Sequence, residues 1–507
     1  MVVIALLCGV FFRFYNLDHK VYWFDETMSS HILSGCTHWE VLRMVGNQVI
    51  GARELLRYQY PAAGKTLGDS INVLFQDDPG QSLPYYVIAW FWARIWLNFS
   101  DNMVLILRGL SAVISLLAFP LAYWMSWELF RSHRTSLIAL ALFSVSPFQV
   151  LYAQEARVYS LWVVTTLLSS ASLLWSLRTS KNAGWVVYSV SMALGLYIHM
   201  SSLLVLAAHG IYVLVTGGFK IGSPAKKFIL SCAVALLAFA PWLVFFTTKI
   251  KVFYSTIAWT SAKTSFESLI SSWGLGISSV FLDVNLGAYP PVYITLPLLV
   301  LLGFILYCVF YFYRNAPKHS RLFILLIMLA NILPFLLPDL ILGGKRSTVP
   351  RYFIPFYLGV QMCVAYFFSE KLGGVNVKQT KRWLFVFVFV LALGVVSCAV
   401  SSQAEQWWNK YLMEQQPQIA SVVNNSPKPL IFTSESLGNL WPLGYMLDEK
   451  VSILIISDGS VPTVAGNFTD VFLYDTSGAS VERFSGKYDY SPIEGTSGLF
   501  RLQKKPV

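Results

Sequence analysis

The sequence predicts a polytopic α-helical membrane protein followed by a small α/β domain. Three observations predict it. Of 507 residues, 56% are hydrophobic and only 12% are charged. Apolar runs of roughly 20 residues, the length that crosses a bilayer, recur up to residue 401. From residue 402 the composition turns mixed polar with short β-branched runs. The apolar runs exclude a soluble globular enzyme. The formal charge of +11 sits in short clusters between spans, the positive-inside pattern, so nucleic acid is not an expected partner. Six cysteines are scattered singly, five in apolar runs and Cys36 in a loop, which gives neither a disulfide framework nor a metal spacing.

Taken in order, Val2 to Phe14 is short for a span. It lacks a basic leader and a small-residue cleavage pattern, so it reads as a first span rather than a signal peptide. Residues 16–102 form a long first external loop with Gly, Pro, Arg and Asp punctuation. Within it, residues 84–99 are apolar but short, carry Arg94 and are dense in Trp and Tyr, which is interface chemistry. An interfacial helix is expected there.

Charge parity supports that reading. The remaining spans fall near 103–129, 135–152, 158–177, 184–199, 202–216, 228–247, 291–313, 322–341, 352–369 and 383–401, about eleven in all with the first. Alternate connections are then basic: Arg131 with Arg134, Arg178 with Lys181, Lys220 with Lys226 and Lys227, Arg314 with Lys318 and Arg321, and Lys371 with Lys378, Lys381 and Arg382. All land on the cytoplasmic side if 84–99 lies flat, and all land outside if it spans.

Two domains follow: a membrane domain over 1–401 and an external soluble α/β domain over 402–507. The second has β-branched runs at 429–432, 451–456 and 471–474 between helical patterns. It lacks GxGxxG, Walker, HExxH and GxSxG signatures, so no chemistry is assigned to it.

Chemistry concentrates on the outer face. Tyr22-Trp23-Phe24-Asp25-Glu26 places two carboxylates among aromatics just after the first span, and Gln154-Glu155-Ala156-Arg157-Val158-Tyr159 places a third at the outer end of a later one. Ionisable groups at such positions are functional by default. The bland alternatives are that Asp25 caps the helix it precedes and that Glu155 pairs with Arg157 or favours the next helix's dipole. Lys345, Arg346 and Arg351 in Gly343-Gly344-Lys345-Arg346-Ser347-Thr348-Val349-Pro350-Arg351-Tyr352 are cationic on the outside, against the positive-inside rule, and ask for an anion such as a phosphate. His199 is expected as a supporting or packing residue.

These residues, with Pro84-Tyr85-Tyr86, Arg108-Gly109-Leu110-Ser111, Ser146-Pro147-Phe148 and Arg351-Tyr352, resemble the GT-C glycosyltransferases. The likeness is to the bacterial branch related to protein O-mannosyltransferases (glycosyltransferase family 39) and lipid A aminoarabinose transferases, and covers roughly residues 1–400. It implies a GT-C-like membrane fold and sugar transfer from a polyprenyl-phosphate donor to an acceptor hydroxyl on a glycan, lipid or protein. The reaction would take place at the outer face of the bacterial plasma membrane. It further implies that Asp25 is the catalytic base, that Glu155 is the acidic residue of the second external loop, and that Arg351 holds the donor phosphate; by position and charge, Glu26 joins the acidic set and Lys345, Arg346 and Arg157 join the phosphate set. His31, Asp78, Tyr85, Tyr159, His199 and Tyr352 support them. Many members read His-Pro-Pro-Leu-Tyr-Tyr before the interfacial helix; here the stretch is Asp78-Pro79-Gly80-Gln81-Ser82-Leu83-Pro84-Tyr85-Tyr86, without the His.

A divalent cation would find oxygen donors at Asp25 and Glu155, although no His or Cys spacing demands one. Two rival classes stay open at this level. One is a transporter or flippase of lipid-linked sugars, against which stand the one-sided charges and the lack of an internal repeat. The other is a non-catalytic envelope assembly protein.

Overall fold

The computed structural model describes residues 1–285, 291–413, 415–463, 467–478 and 480–505. The chain divides into two compact units, one of Met1–His19, Asp78–Tyr85 and Arg108–Ala404, the other of Lys20–Asp77, Tyr86–Leu107 and Glu405–Val507.

The first unit is helical. Among the described residues seven helices are long and apolar enough to cross a membrane: Met103–Phe130, Tyr159–Thr179, Ser223–Thr248, Tyr293–Asn315, Lys318–Leu342, Pro350–Leu372 and Val377–Gln403. Shorter apolar helices at Val2–Phe14, Asn182–Ile198 and Ser202–Thr216 occupy other stretches expected to span. The protein is thus a multi-pass membrane protein. The single span expected over 135–152 is instead two helices, His133–Ser144 and Pro147–Ala153, bent by 58°. Pro147 is the physical reason. It cannot donate to the preceding turn and disfavours helical geometry at Ser146, which is extended at φ −65°, ψ 119°. The stretch between the spans expected near 228–247 and 291–313 contains helices Ile250–Ile257 and Phe266–Ser278, while residues 286–290 lie outside the described set.

Close approach holds the bundle where its polar groups are buried. A Cβ on Gly9 would sit 2.4 Å from the Ser144 carbonyl oxygen, and one on Gly394 would sit 2.5 Å from that of Val145. Small residues at these crossings let backbones meet. Arg13, buried within the first apolar helix, donates from Nη1 to the carbonyls of Gly9 and Ser144, both at 2.8 Å, and lies 4.7 Å over the Phe119 ring. Among the described residues its charge is met by carbonyl dipoles and an aromatic face rather than by a carboxylate.

The second unit is built on a six-stranded sheet ordered β1-β3-β2-β4-β6-β5, with β1 Val49–Gly51, β2 Pro429–Thr433, β3 Ser452–Ile455, β4 Asp470–Tyr474, β5 Tyr488–Pro492 and β6 Leu499–Lys504. The three expected β-branched runs are β2, β3 and β4, which form its parallel centre with Ile431 opposite Ile453 and Phe472. Every residue of β2 is buried, as a strand covered on both faces requires. Ile431, Ile453, Phe472 and Tyr474 pack with Ile419, Leu440 and Trp441 on one side. Leu430, Phe432 and Leu473 pack with Phe484 and Leu502 on the other. A boundary drawn at residue 402 leaves out part of this unit. Val49–Gly51 from the first loop is its antiparallel edge strand, and Cys36, Val41, Val45 and Leu55 share its core.

Candidate active site

In the second unit the acidic pair opens the helix Phe24–Ser34. The bland alternative, that Asp25 caps this helix, does not hold. Trp23 is the N-cap, extended at φ −82°, ψ 171°, and Asp25 lies inside the first turn. The capping contact falls to Glu26, whose Oε2 accepts from the Trp23 backbone N–H at 3.4 Å while the residue is 1% exposed. Asp25 is half-buried. Both carboxylates sit where the helix dipole favours negative charge.

Around the pair, Tyr22 and Ser30 share a hydroxyl hydrogen bond of 2.5 Å, and Ser29 Oγ meets Tyr86 Oη at 3.3 Å. The Lys410 ammonium lies 3.8 Å over the Trp23 ring. His31, fully buried a turn and a half further on, contacts Asp77 Oδ2 through Nε2 at 3.2 Å. Asp77 Oδ2 also accepts the His38 backbone N–H at 2.8 Å.

The first unit carries the other candidates. Past the Pro147–Ala153 helix the chain turns through Gln154 to Val158 and starts the helix Tyr159–Thr179. Gln154 fastens the turn, donating to the carbonyls of Phe12 at 2.7 Å and Tyr15 at 3.0 Å. Glu155 and Arg157 are each 4% exposed. Arg157 donates from Nη2 to Gln81 Oε1 at 2.9 Å, and its carbonyl accepts from Ser111 Oγ, which meets Tyr85 Oη at 3.2 Å. Tyr159 packs edge-on against Tyr152, centroids 5.2 Å apart. The charges of Glu155 and Arg351 both act on the buried Tyr152 hydroxyl. Those of Arg351 and Arg157 both act on His199. The His199 ring stacks on Trp162 at 3.9 Å and lies 6.2 Å from Tyr352. A buried carboxylate, two guanidiniums and an imidazole thus share one electrostatic neighbourhood. Asp78 is half-buried, its carbonyl accepting from the Gln81 N–H at 3.2 Å.

The Gly343–Arg351 segment is organised by a residue that sequence reasoning passed over. Asp339, 3% exposed, accepts from the Ser347 N–H at 2.6 Å, from Ser347 Oγ at 2.7 Å and from Arg346 Nη1 at 3.0 Å. Arg346 also donates to Ser261 Oγ at 2.8 Å, so its fork is engaged within the protein. Gly344 adopts φ +132°, and a Cβ there would sit 2.4 Å from Arg346 Nη1. Lys345 lies over the Trp259 ring at 5.2 Å, and Arg351 over the Tyr352 ring at 5.6 Å. The signal for Asp339 was a lone carboxylate in an apolar run eight residues before Ser347, which is informative only once the chain is known to turn back there.

No family model matches the chain, and no curated protein sequence matches it. Solved structures do. An Archaeoglobus fulgidus oligosaccharyltransferase tethered with an acceptor peptide matches with a TM-score of 0.55 at 12% identity, covering 100% of this chain and 74% of that one. ArnT from Cupriavidus metallidurans bound to undecaprenyl phosphate matches with a TM-score of 0.55 at 11% identity, covering 99% and 97%. The archaeal oligosaccharyltransferase AglB from Archaeoglobus fulgidus, in complex with an inhibitory peptide and a dolichol-phosphate, matches with a TM-score of 0.52 at 12% identity, covering 99% and 74%. The chain has the GT-C fold.

Proposed function

We propose that this chain of GT-C fold is an integral membrane glycosyltransferase that moves a sugar from a polyprenyl-phosphate donor to an acceptor hydroxyl, with inversion, on the outer face of a bacterial plasma membrane. The observation that carries the reading is the buried Glu155 and Arg157 beside the half-buried Arg351 in a membrane protein of this fold. Structural neighbours with undecaprenyl phosphate and dolichol-phosphate bound support the lipid-linked donor. The neighbour with a tethered acceptor peptide supports a protein acceptor as one class beside glycans and lipids.

The chemistry assigned to the residues is a single displacement. The acceptor oxygen bonds to the anomeric carbon as the anomeric C–O bond to phosphate breaks, and polyprenyl phosphate leaves with the electron pair. A carboxylate is a weak base toward an alcohol, so Asp25 takes the hydroxyl proton only as the new bond forms. Arg351, with Lys345 and Arg157, stabilises the charge growing on the leaving phosphate, the Arg forks offering paired donors to its oxygens. Glu155 orients Arg351 or the acceptor. Asp25 and, separately, Glu155 offer the oxygen donors that a hard divalent cation takes, and such an ion would add charge neutralisation at the phosphate.

The test is the purified protein in nanodiscs with a polyprenyl-phosphate sugar and envelope extract, scoring released polyprenyl phosphate. Release that depends on acceptor is expected. If the protein consumes no lipid-linked donor, a transporter of lipid-linked sugars becomes the better account. The outward orientation is tested by a reporter fused after residue 402, which should be active only outside the cytoplasm.

A further inference from the structure

We propose that His31, His38 and Asp77 form a binding site for a divalent transition metal of the zinc class. The three come from separate helices of one compact unit, Phe24–Ser34, His38–Val45 and Leu67–Asp77. Each offers one ligand atom, and these atoms lie within 4.8 Å of one another. In tetrahedral zinc with bonds of about 2.0–2.1 Å, neighbouring ligands sit about 3.4 Å apart. His31 Nε2 and Asp77 Oδ2, at 3.2 Å, already stand at that spacing. Closing the set requires the half-buried His38 ring nitrogen to come from within 4.8 Å to about 3.4 Å of the other two ligand atoms.

The surroundings fit a metal better than a plain His–Asp contact. His31 is fully buried, so the ring nitrogen that meets Asp77 Oδ2 is screened from bulk water. Asp77 is oriented by the His38 backbone N–H, which holds the carboxylate as an outer-shell partner does in built metal sites. The indole of Trp441, itself fully buried, stacks on His31 at 4.6 Å and meets His38 edge-on at 5.9 Å, closing one side with an apolar wall. Two imidazoles with one carboxylate select zinc, cobalt or nickel over magnesium or calcium, which prefer all-oxygen sets, and leave a position for water. Binding requires deprotonated ligands and releases any proton that His31 shares with Asp77. The metal would pin the helix that begins with Asp25 and Glu26 to its two neighbours.

The experiment strips the full-length protein in detergent with a chelator and titrates it with Co²⁺. It needs no donor or acceptor, so its outcome is independent of whether sugar transfer is observed. One equivalent of cobalt should develop the intense visible bands of a four- or five-coordinate ion, and Zn²⁺ should displace it. His38→Ala and Asp77→Asn, each checked for a monodisperse elution profile, should weaken binding at least about 10-fold. X-ray absorption on the zinc form should show imidazole scattering from two histidines. Asp25→Asn and Glu155→Gln should bind cobalt as the parent does. The absence of bands beyond those of free cobalt, full binding by His38→Ala and Asp77→Asn, or loss of the bands in Asp25→Asn would each overturn the assignment.

Discussion

Asp339→Ala tests whether the Gly343–Arg351 segment is held in place for binding. The carboxylate is 3% exposed and accepts three hydrogen bonds, from the Ser347 N–H and hydroxyl and from Arg346 Nη1. Deleting it leaves the buried Ser347 N–H without this acceptor, at about 1–3 kcal/mol, and removes the counter-charge of Arg346. Breaking a buried ion pair from one side costs about 3–5 kcal/mol in total, and the Arg346 side chain, 29% exposed, recovers some hydration and brings the cost toward the lower end. If even half of about 3 kcal/mol is drawn from the bound geometry, affinity for polyprenyl phosphate falls about 10-fold. Asp339→Asn keeps an acceptor and should cost less. Ser347→Ala loses only a hydroxyl and should cost about 0.5–1.5 kcal/mol. The assay is polyprenyl phosphate binding by calorimetry in nanodiscs beside thermal unfolding of the same samples. A graded series, with Asp339→Ala worst and Ser347→Ala mildest, is the expected result. Parent-like donor affinity and melting temperature for Asp339→Ala would refute the tether.

Three further outcomes are expected. Asp25→Asn should lower acceptor-dependent release of polyprenyl phosphate by about 10²–10⁴-fold while the protein stays folded, because it removes the proton acceptor and not a cap; Glu155→Gln should also lower it, and full activity of Asp25→Asn would end its role as base. Arg351→Lys should weaken donor binding despite the retained charge, since an ammonium cannot make the planar paired contact, and equal affinity would assign Arg351 to packing against Tyr352. Asp475 is pushed up by burial, but hydrogen bonds from Ser477 and Ser480 outweigh this and hold its carboxyl below the ordinary value. Its stabilising effect is therefore complete above about pH 4 and lost as pH falls from there through the folded value. Hydrogen exchange in β4 and β6, corrected for intrinsic rates, should show that loss in the parent and not in Asp475→Asn.

The membrane segments and the parallel centre of the sheet were legible because long apolar runs and short β-branched runs act locally, each through its own burial. What sequence reading missed depends on where the chain returns. Val49–Gly51 is three residues long with Val49 exposed, and becomes a strand only because Ser452–Leu454 offers it an edge. Asp339 looks like an isolated charge in a span until Ser347 folds back onto it. The bend at Pro147 was visible as a proline, yet an apolar run on both sides outweighed it in a reading based on hydropathy.

The acidic pair shows how the structure divides a task that sequence left joined. An Asp followed by Glu at a helix start reads equally as cap or catalyst. Here the backbone assigns the cap position to Trp23 and turns Glu26 inward to accept its N–H, so the structural duty rests on a carboxylate that is almost fully buried. Glu26→Gln retains an acceptor at that position, and should hold the helix start and most of the transfer activity. Glu26→Ala removes it and should destabilise the Phe24–Ser34 helix by about 0.5–2 kcal/mol. Asp25, inside the turn and half-buried, carries no such capping duty. Its replacement is therefore read beside thermal unfolding of the same sample, which separates loss of chemistry from loss of fold. If Glu26→Gln abolished transfer while Asp25→Asn left it intact, the two roles would be exchanged and the base would be Glu26.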